Sequence, residues 1–149
     1  MKRVLVVAGA LLLSVGAVVA QQDVANQTQT TMKATGRALG AVLGPMFKGE
    51  KPYDQAAVDT ALTQLADTAK KLPTMFPESI KSLKVEGDYS SSPKIWEDKA
   101  GFAAKIDSFA KVVTEAKAKI KDLDSLKATF PAVGKECGAC HETFRLKNS

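Results

Sequence analysis

LKATFPAVGKECGACHETFRLK, residues 126–147, decides the fold. Its apolar side chains fall at Leu126, Phe130, Val133, Cys137, Cys140 and Phe144, in alternating steps of four and three. That spacing puts all six on one stripe of an α-helix and fits no strand. The same alternation recurs at Phe102, Ile106, Phe109, Val113, Ala116 and Ile120. Val58, Ala61, Leu62, Leu65 and Ala69 follow helical spacing after a turn at 49–53, and Met32, Gly36, Leu39, Leu43 and Met46 do so nearer the start. Alanine and lysine are common and β-branched runs scarce, which favours helix throughout.

These stripes predict four helices, over residues 23–47, 54–72, 93–121 and 124–147. Ser92-Pro93 gives the third an N-cap followed by proline at its first position. Pro131 lies inside the fourth and is expected to kink or divide it, because proline removes a backbone donor. The connection over 73–92 is long and broken by Pro73, Pro77, Gly87 and Ser90–Ser92, with a short helical turn expected at Glu78–Leu83. Four amphipathic helices joined by two short links and one long one predict an all-α fold, an antiparallel up-down-up-down four-helix bundle.

The first twenty residues, MKRVLVVAGALLLSVGAVVA, have a separate logic. Lys2 and Arg3 precede a short apolar run that ends in small residues at Val18 and Ala20, the layout of a secretory leader cut before Gln21. Ser14 and two glycines interrupt the run, which falls short of the ~20 apolar residues that span a bilayer. Residues 1–20 are therefore expected to be a cleaved signal peptide and 21–149 a single periplasmic domain, free of stable membrane insertion. The formal charge of +5 falls to about +3 once Lys2 and Arg3 leave with the leader. Spread among alternating Lys and Asp/Glu, that is an ordinary surface and, with export, argues against a nucleic-acid partner.

Cys137, Cys140 and His141 hold both thiols and the only imidazole of the chain. On a helix their spacing of three and four puts all three on one face. Cys-x-x-Cys-His is the attachment signature of c-type haem. Two thiols one turn apart each add to one haem vinyl group, and the adjacent histidine reaches the iron from the same side. A redox Cys-x-x-Cys sits at a helix start beside a strand, where the helix dipole lowers a thiol pKa. These cysteines lie near the end of a long helix. A zinc site needs four ligands, and no carboxylate is marked as the fourth. A disulfide across three helical residues is poorly placed.

A haem motif at the C-terminal end of a four-helix bundle resembles the class II c-type cytochromes, the cytochrome c′ and cytochrome c-556 family. Matching segments are Met32-Lys33-Ala34-Thr35-Gly36, residues 48–54 (KGEKPYD), Pro93-Lys94-Ile95-Trp96, and Cys137–His141 with Phe144-Arg145. Together they run the length of residues 21–149, and the first looks most like cytochrome c-556. Two departures stand out: Thr28 occupies a position where many such proteins carry arginine one turn earlier, and the 36–47 stretch is one residue longer than their commonest spacing.

The second axial position decides between an electron carrier and a gas binder. With no second histidine, methionine is the natural candidate, and a Met/His pair raises the reduction potential. The methionines beyond the leader are Met32, Met46 and Met75. In an antiparallel bundle Met32 is level with His141, about two turns from the same end. Met46 lies fourteen residues further on, about 21 Å along the axis at ~1.5 Å per residue, and so belongs to the other end. Met75 follows helix two back to the haem end and stays open on this argument. The resemblance favours Met32, since in cytochrome c-556-like proteins a first-helix methionine is the sixth ligand.

Arg145 lies four residues beyond His141 and is expected on the same face. The resemblance places such an arginine near the haem edge or propionates; a cation in the last helical turn is the plainer reading. Phe144 and Phe130 are expected to pack around the ring and Trp96 to anchor the core. Lys33, Lys135 and Lys147 are solvated lysines or a docking surface for an acidic redox partner. Gly36, Gly40 and Gly44 permit close helix approach in a homodimer, make room for haem, or loosen the helix. The expectation is an exported, non-enzymatic one-electron carrier with one covalent haem c, held by Cys137 and Cys140 and ligated by His141 and Met32. Its partners are other redox proteins. A five-coordinate NO/CO binder and a haem-free thiol or metal-binding bundle are the alternatives.

Overall fold

In the computed structural model, residues 4–148 apart from 84 and 86 are described, with side chains from residue 19 onward. Four long helices form the bundle. The first, α1, is α-helical over Val4–Arg37, π-helical over Ala38–Leu43 and α-helical again over Gly44–Phe47. α2 is Gln55–Lys71 with a 3₁₀ turn at Leu72–Thr74, α3 is Lys99–Lys119 and α4 is Leu123–Phe144. The expected antiparallel bundle is the one found: α3 packs on both α2 and α4, and α1 on α2.

The boundaries follow from local chemistry. α1 ends in a Schellman motif, with the Glu50 N–H donating to the Pro45 carbonyl at 2.8 Å and the Gly49 N–H to that of Met46 at 3.1 Å. Gly49 takes φ +77° there, which a β-carbon would disfavour. Asp54 caps α2 by accepting the Ala57 N–H at 3.2 Å. Asp122 and Ser125 form a reciprocal capping box at the head of α4.

Several expectations need correction. The first helix starts well before residue 23 and is continuous back to Val4; side chains of the expected leader up to residue 18 lie outside the described residues. The third helix is not one piece from 93. Ser92 Oγ does cap, accepting the Lys94 N–H at 3.3 Å, but the turn Lys94–Glu97 stops at Asp98 (φ −120°, ψ 66°). The Asp98 carboxylate then caps the long segment by accepting the Gly101 N–H at 2.9 Å. Pro131 leaves α4 undivided: it is exposed, as is Lys127 four residues before, so the carbonyl it strands faces water. Helix four ends at Phe144, not 147. Arg145–Lys147 is a strand, β2, pairing antiparallel with β1, Tyr89–Ser91, in the register Tyr89↔Lys147 and Ser91↔Arg145. Of the expected turn at Glu78–Leu83, a 3₁₀ turn Glu78–Ile80 is present.

The fully buried residues gather toward one end. Val58, Leu62, Leu65, Leu126 and Val133 are 0% exposed, with Leu43, Val113 and Ile120 beside them. A second cluster, Ile80, Ile95, Trp96 and Phe144, lies at the other end. Between that cluster and α1 the bundle opens into a cavity.

Candidate haem site

The cavity is about 650 Å³, within the range for small-molecule sites. α4 presents Cys137, Cys140 and His141 to it, as their spacing requires, and α1 presents Met32. Neither Met46 nor Met75 lines it. Met46 is 5% exposed in the main core, and half-buried Met75 packs against that core from beyond α2. Apolar side chains supply most of the remaining wall, among them Leu39, Leu72, Ile80, Phe102, Phe109 and Phe144. The long connection lies across it, through Leu83, Val85 and residues 87–91. The two-stranded ribbon ties that cover to the end of α4: the Ser92 N–H donates to the Phe144 carbonyl at 3.1 Å and Ser90 Oγ to Asn148 Oδ1 at 2.8 Å.

Burial sets the protonation states. The Cys137 thiol is pushed up by desolvation and then by neighbouring Cys140; that of Cys140 is pushed up by desolvation, which Lys105 partly offsets. The His141 imidazole is pushed below its usual range by burial and by the Arg145 guanidinium. At neutral pH the two cysteines are thiols, and the imidazole is neutral, the form in which a histidine binds a metal. Raised thiols are the reverse of what a redox Cys-x-x-Cys needs. Among the described residues no group of three or more His, Cys, Asp or Glu is placed to hold a metal ion alone. An apolar cavity walled by two thiols and an imidazole on one side and a thioether on the other fits a large flat metallomacrocycle.

Other expected residues divide. Phe144 lines the cavity and packs edge-on against Phe102, ring centroids 5.1 Å apart. Phe130 does not reach it; it pairs with Phe47 at 5.1 Å, toward the other end. Trp96 is a core anchor, 7% exposed, its Nε1–H donating to the Phe76 carbonyl at 3.1 Å. Arg145 is not on the helix face with His141. The chain turns extended at that residue, and the guanidinium sits 4.0 Å above the Tyr89 ring at the cavity edge. Lys33 lines the cavity mouth, whereas Lys135 and Lys147 are exposed outside it. Gly36 and Gly40 are among the residues lining the cavity, and a β-carbon at either would meet no atom within 4 Å. The 36–47 stretch contains the π-helical turn Ala38–Leu43. Thr28, Thr35 and Thr68 also line the cavity; their signal in the sequence is a polar residue on an apolar stripe.

A helical bundle with Cys-x-x-Cys-His facing an apolar cavity at one end defines a class, the helical-bundle c-type cytochromes. The Cytochrome C′ family model matches residues 23–145. Cytochrome c-556 of Rhodopseudomonas palustris is 57% identical over 148 residues, 99% of each chain. The NMR-validated structural model of oxidized Rhodopseudomonas palustris cytochrome c556 superposes with a TM-score of 0.75 and 56% identity, covering 86% of this chain and 99% of that one. Cytochrome c′ from the same organism gives a TM-score of 0.76 and 42% identity, covering 85% and 98%. The chain belongs to the cytochrome c′ family, and it is a haem protein with one covalently attached c-type haem.

Proposed function

We propose that this chain is a periplasmic one-electron carrier, a low-spin c-type cytochrome with His/Met ligation. The observation behind the reading is that Met32 is the one described methionine lining the cavity with Cys137, Cys140 and His141. When bound, haem supplies an Fe(III)/Fe(II) couple that takes and gives one electron. Cys137 and Cys140 hold it by thioethers, His141 offers a neutral ring nitrogen, and Met32 offers its sulfur from α1. The apolar walls exclude water, so little solvent rearranges when the charge changes. Its partners are other redox proteins, and residues 1–20 are removed on export. That division is supported by a family match starting at residue 23 and by the cytochrome c556 chain of the NMR-validated structure, 99% of which is covered by 86% of this one.

A visible spectrum of the purified holoprotein tests the reading. Sharp α and β bands with a weak far-red Met–Fe band are expected, and Met32→Ala should abolish the far-red band. A spectrum unchanged in Met32→Ala would remove Met32 from the iron. The second reading is a five-coordinate NO/CO binder in which Met32 only shields the iron. The likeness to cytochrome c′ supports it, and broad high-spin bands that shift with CO would establish it.

A further inference from the structure

Thr28 and Thr35 flank Met32 on its own stripe, four residues before it and three after. Both are 8% exposed, and both line the cavity. Each hydroxyl reaches out of α1. Thr28 Oγ1 lies 3.0 Å from the Met75 carbonyl oxygen just beyond α2, and 3.0 Å from that of Val24 in its own helix. Thr35 Oγ1 lies 2.8 Å from Thr68 Oγ1 in α2 and 2.8 Å from the Thr31 carbonyl oxygen. Thr68 is 1% exposed, with its hydroxyl 3.0 Å from the Gln64 carbonyl oxygen.

A threonine that only bonds back to its own helix needs nothing across the bundle. These two each have a partner there, one turn on either side of Met32. Apolar side chains would fill the same wall equally well, but apolar contact has no direction, whereas a hydrogen bond weakens steeply when misaligned. The ties thus restrict rotation of the Met32 turn where packing would not. The rest of α1 is badly placed to do so. Its large buried anchors, Leu43 and Met46, lie at the end of or beyond the π-helical turn at Ala38–Leu43, where the regular i→i−4 ladder is interrupted, and Ala25, 3% exposed on the near side, offers only a methyl group.

We propose that Thr28 and Thr35 are positioning residues for the Met32 sulfur: their ties to the Met75 carbonyl and Thr68 hold it toward the His141 side of the cavity and set how readily an exogenous ligand displaces it. This rests on the reading that Met32 ligates the iron. The test uses the full-length holoprotein with Thr28→Val, Thr35→Val and the double substitution, which keep shape and lose the hydroxyls, and the matching serine variants, which keep them. Far-red band intensity, apparent CO affinity of the ferrous protein and Tm are measured on each. Each valine variant should weaken the far-red band and bind CO about five- to tenfold more tightly, the factor expected from one buried hydrogen bond. The double variant should go further and serine should restore both readouts. Should Thr35→Val fail to fold, Thr68→Val removes the same tie from α2. A fall in Tm with band and CO affinity unchanged overturns the proposal and leaves Met32 ligation standing. A wild-type protein without the far-red band, or one that keeps it in Met32→Ala, overturns the ligation reading and the proposal with it.

Discussion

Cys137 and Cys140 face the same cavity one helical turn apart, and burial holds both as thiols, short of the thiolate that exchanges disulfides. On the proposed function they are the haem's tethers. Intact mass after denaturation should correspond to residues 21–149 plus one haem. The Cys137→Ser/Cys140→Ser double variant should give the chain alone after acid–organic extraction, and haem still covalently bound would exclude these thiols as the attachment. The motif is legible because its chemistry is local: five consecutive residues fix both spacing and order. Met32's place at the cavity is legible only in part: antiparallel topology excludes Met46 but leaves Met75 level with His141, and only the packed fold shows that Met75 does not line the cavity. Arg145 is not, because periodicity carries past Phe144, where the backbone leaves the helix and the guanidinium turns onto Tyr89. Thr28, Thr35 and Thr68 show in the sequence only as polar residues on apolar stripes, which does not pair them. Which hydroxyl meets which depends on how α1 lies on α2.

At the scale of elements, caps decide where stripes begin. The Asp122 carboxylate accepts the Ser125 N–H at 2.8 Å, and Ser125 Oγ accepts the Asp122 N–H at 3.1 Å. Hydrogen bonds from the Ser125 side chain and backbone hold the Asp122 carboxyl below its ordinary value of 3.8. A group depressed on folding stabilises above its unfolded pKa, and that contribution disappears as pH falls through the lower folded value. Asp122→Ala should lower Tm by a few degrees at neutral pH. The gap between variant and parent should shrink as the pH drops below the usual carboxylate range; a gap that widens there would contradict this role. Helix type and number follow from periodicity, but interruptions do not. Asp98 divides the third helix because it can cap Gly101, and a period of 3.6 runs through such a break unnoticed. The π-helical turn leaves no mark on the stripe either: Met32, Gly36, Leu39, Leu43 and Met46 keep steps of four and three straight through it. The β1–β2 ribbon is too short to alternate visibly, and it forms because tertiary contact brings residues 89–91 beside the end of α4.

For the whole molecule, apolar burial is divided between a finished end and an unfinished one. Val58, Leu62, Leu65, Leu126 and Val133 close the first entirely with protein. At the other end Ile80, Ile95, Trp96 and Phe144 back a cavity of about 650 Å³. The cavity is partly open to solvent, and its apolar walls gain no burial until something apolar fills it. Without haem, that end must therefore admit water or collapse, while the closed core keeps its contacts. Trp96 is the only tryptophan and sits in the affected cluster, so it reports on that end alone. The Cys137→Ser/Cys140→Ser chain, stripped of haem, should keep its helical far-UV signal, bind a hydrophobic dye and show a red-shifted Trp96 emission. In hydrogen exchange the amides of Leu62 and Leu126 should stay protected while those of Ile95 and Trp96 open, because the two ends no longer share one cooperative unit. Equal loss of protection at all four would mean that haem holds the entire bundle together, and the closed end would then owe its packing to the cofactor as well.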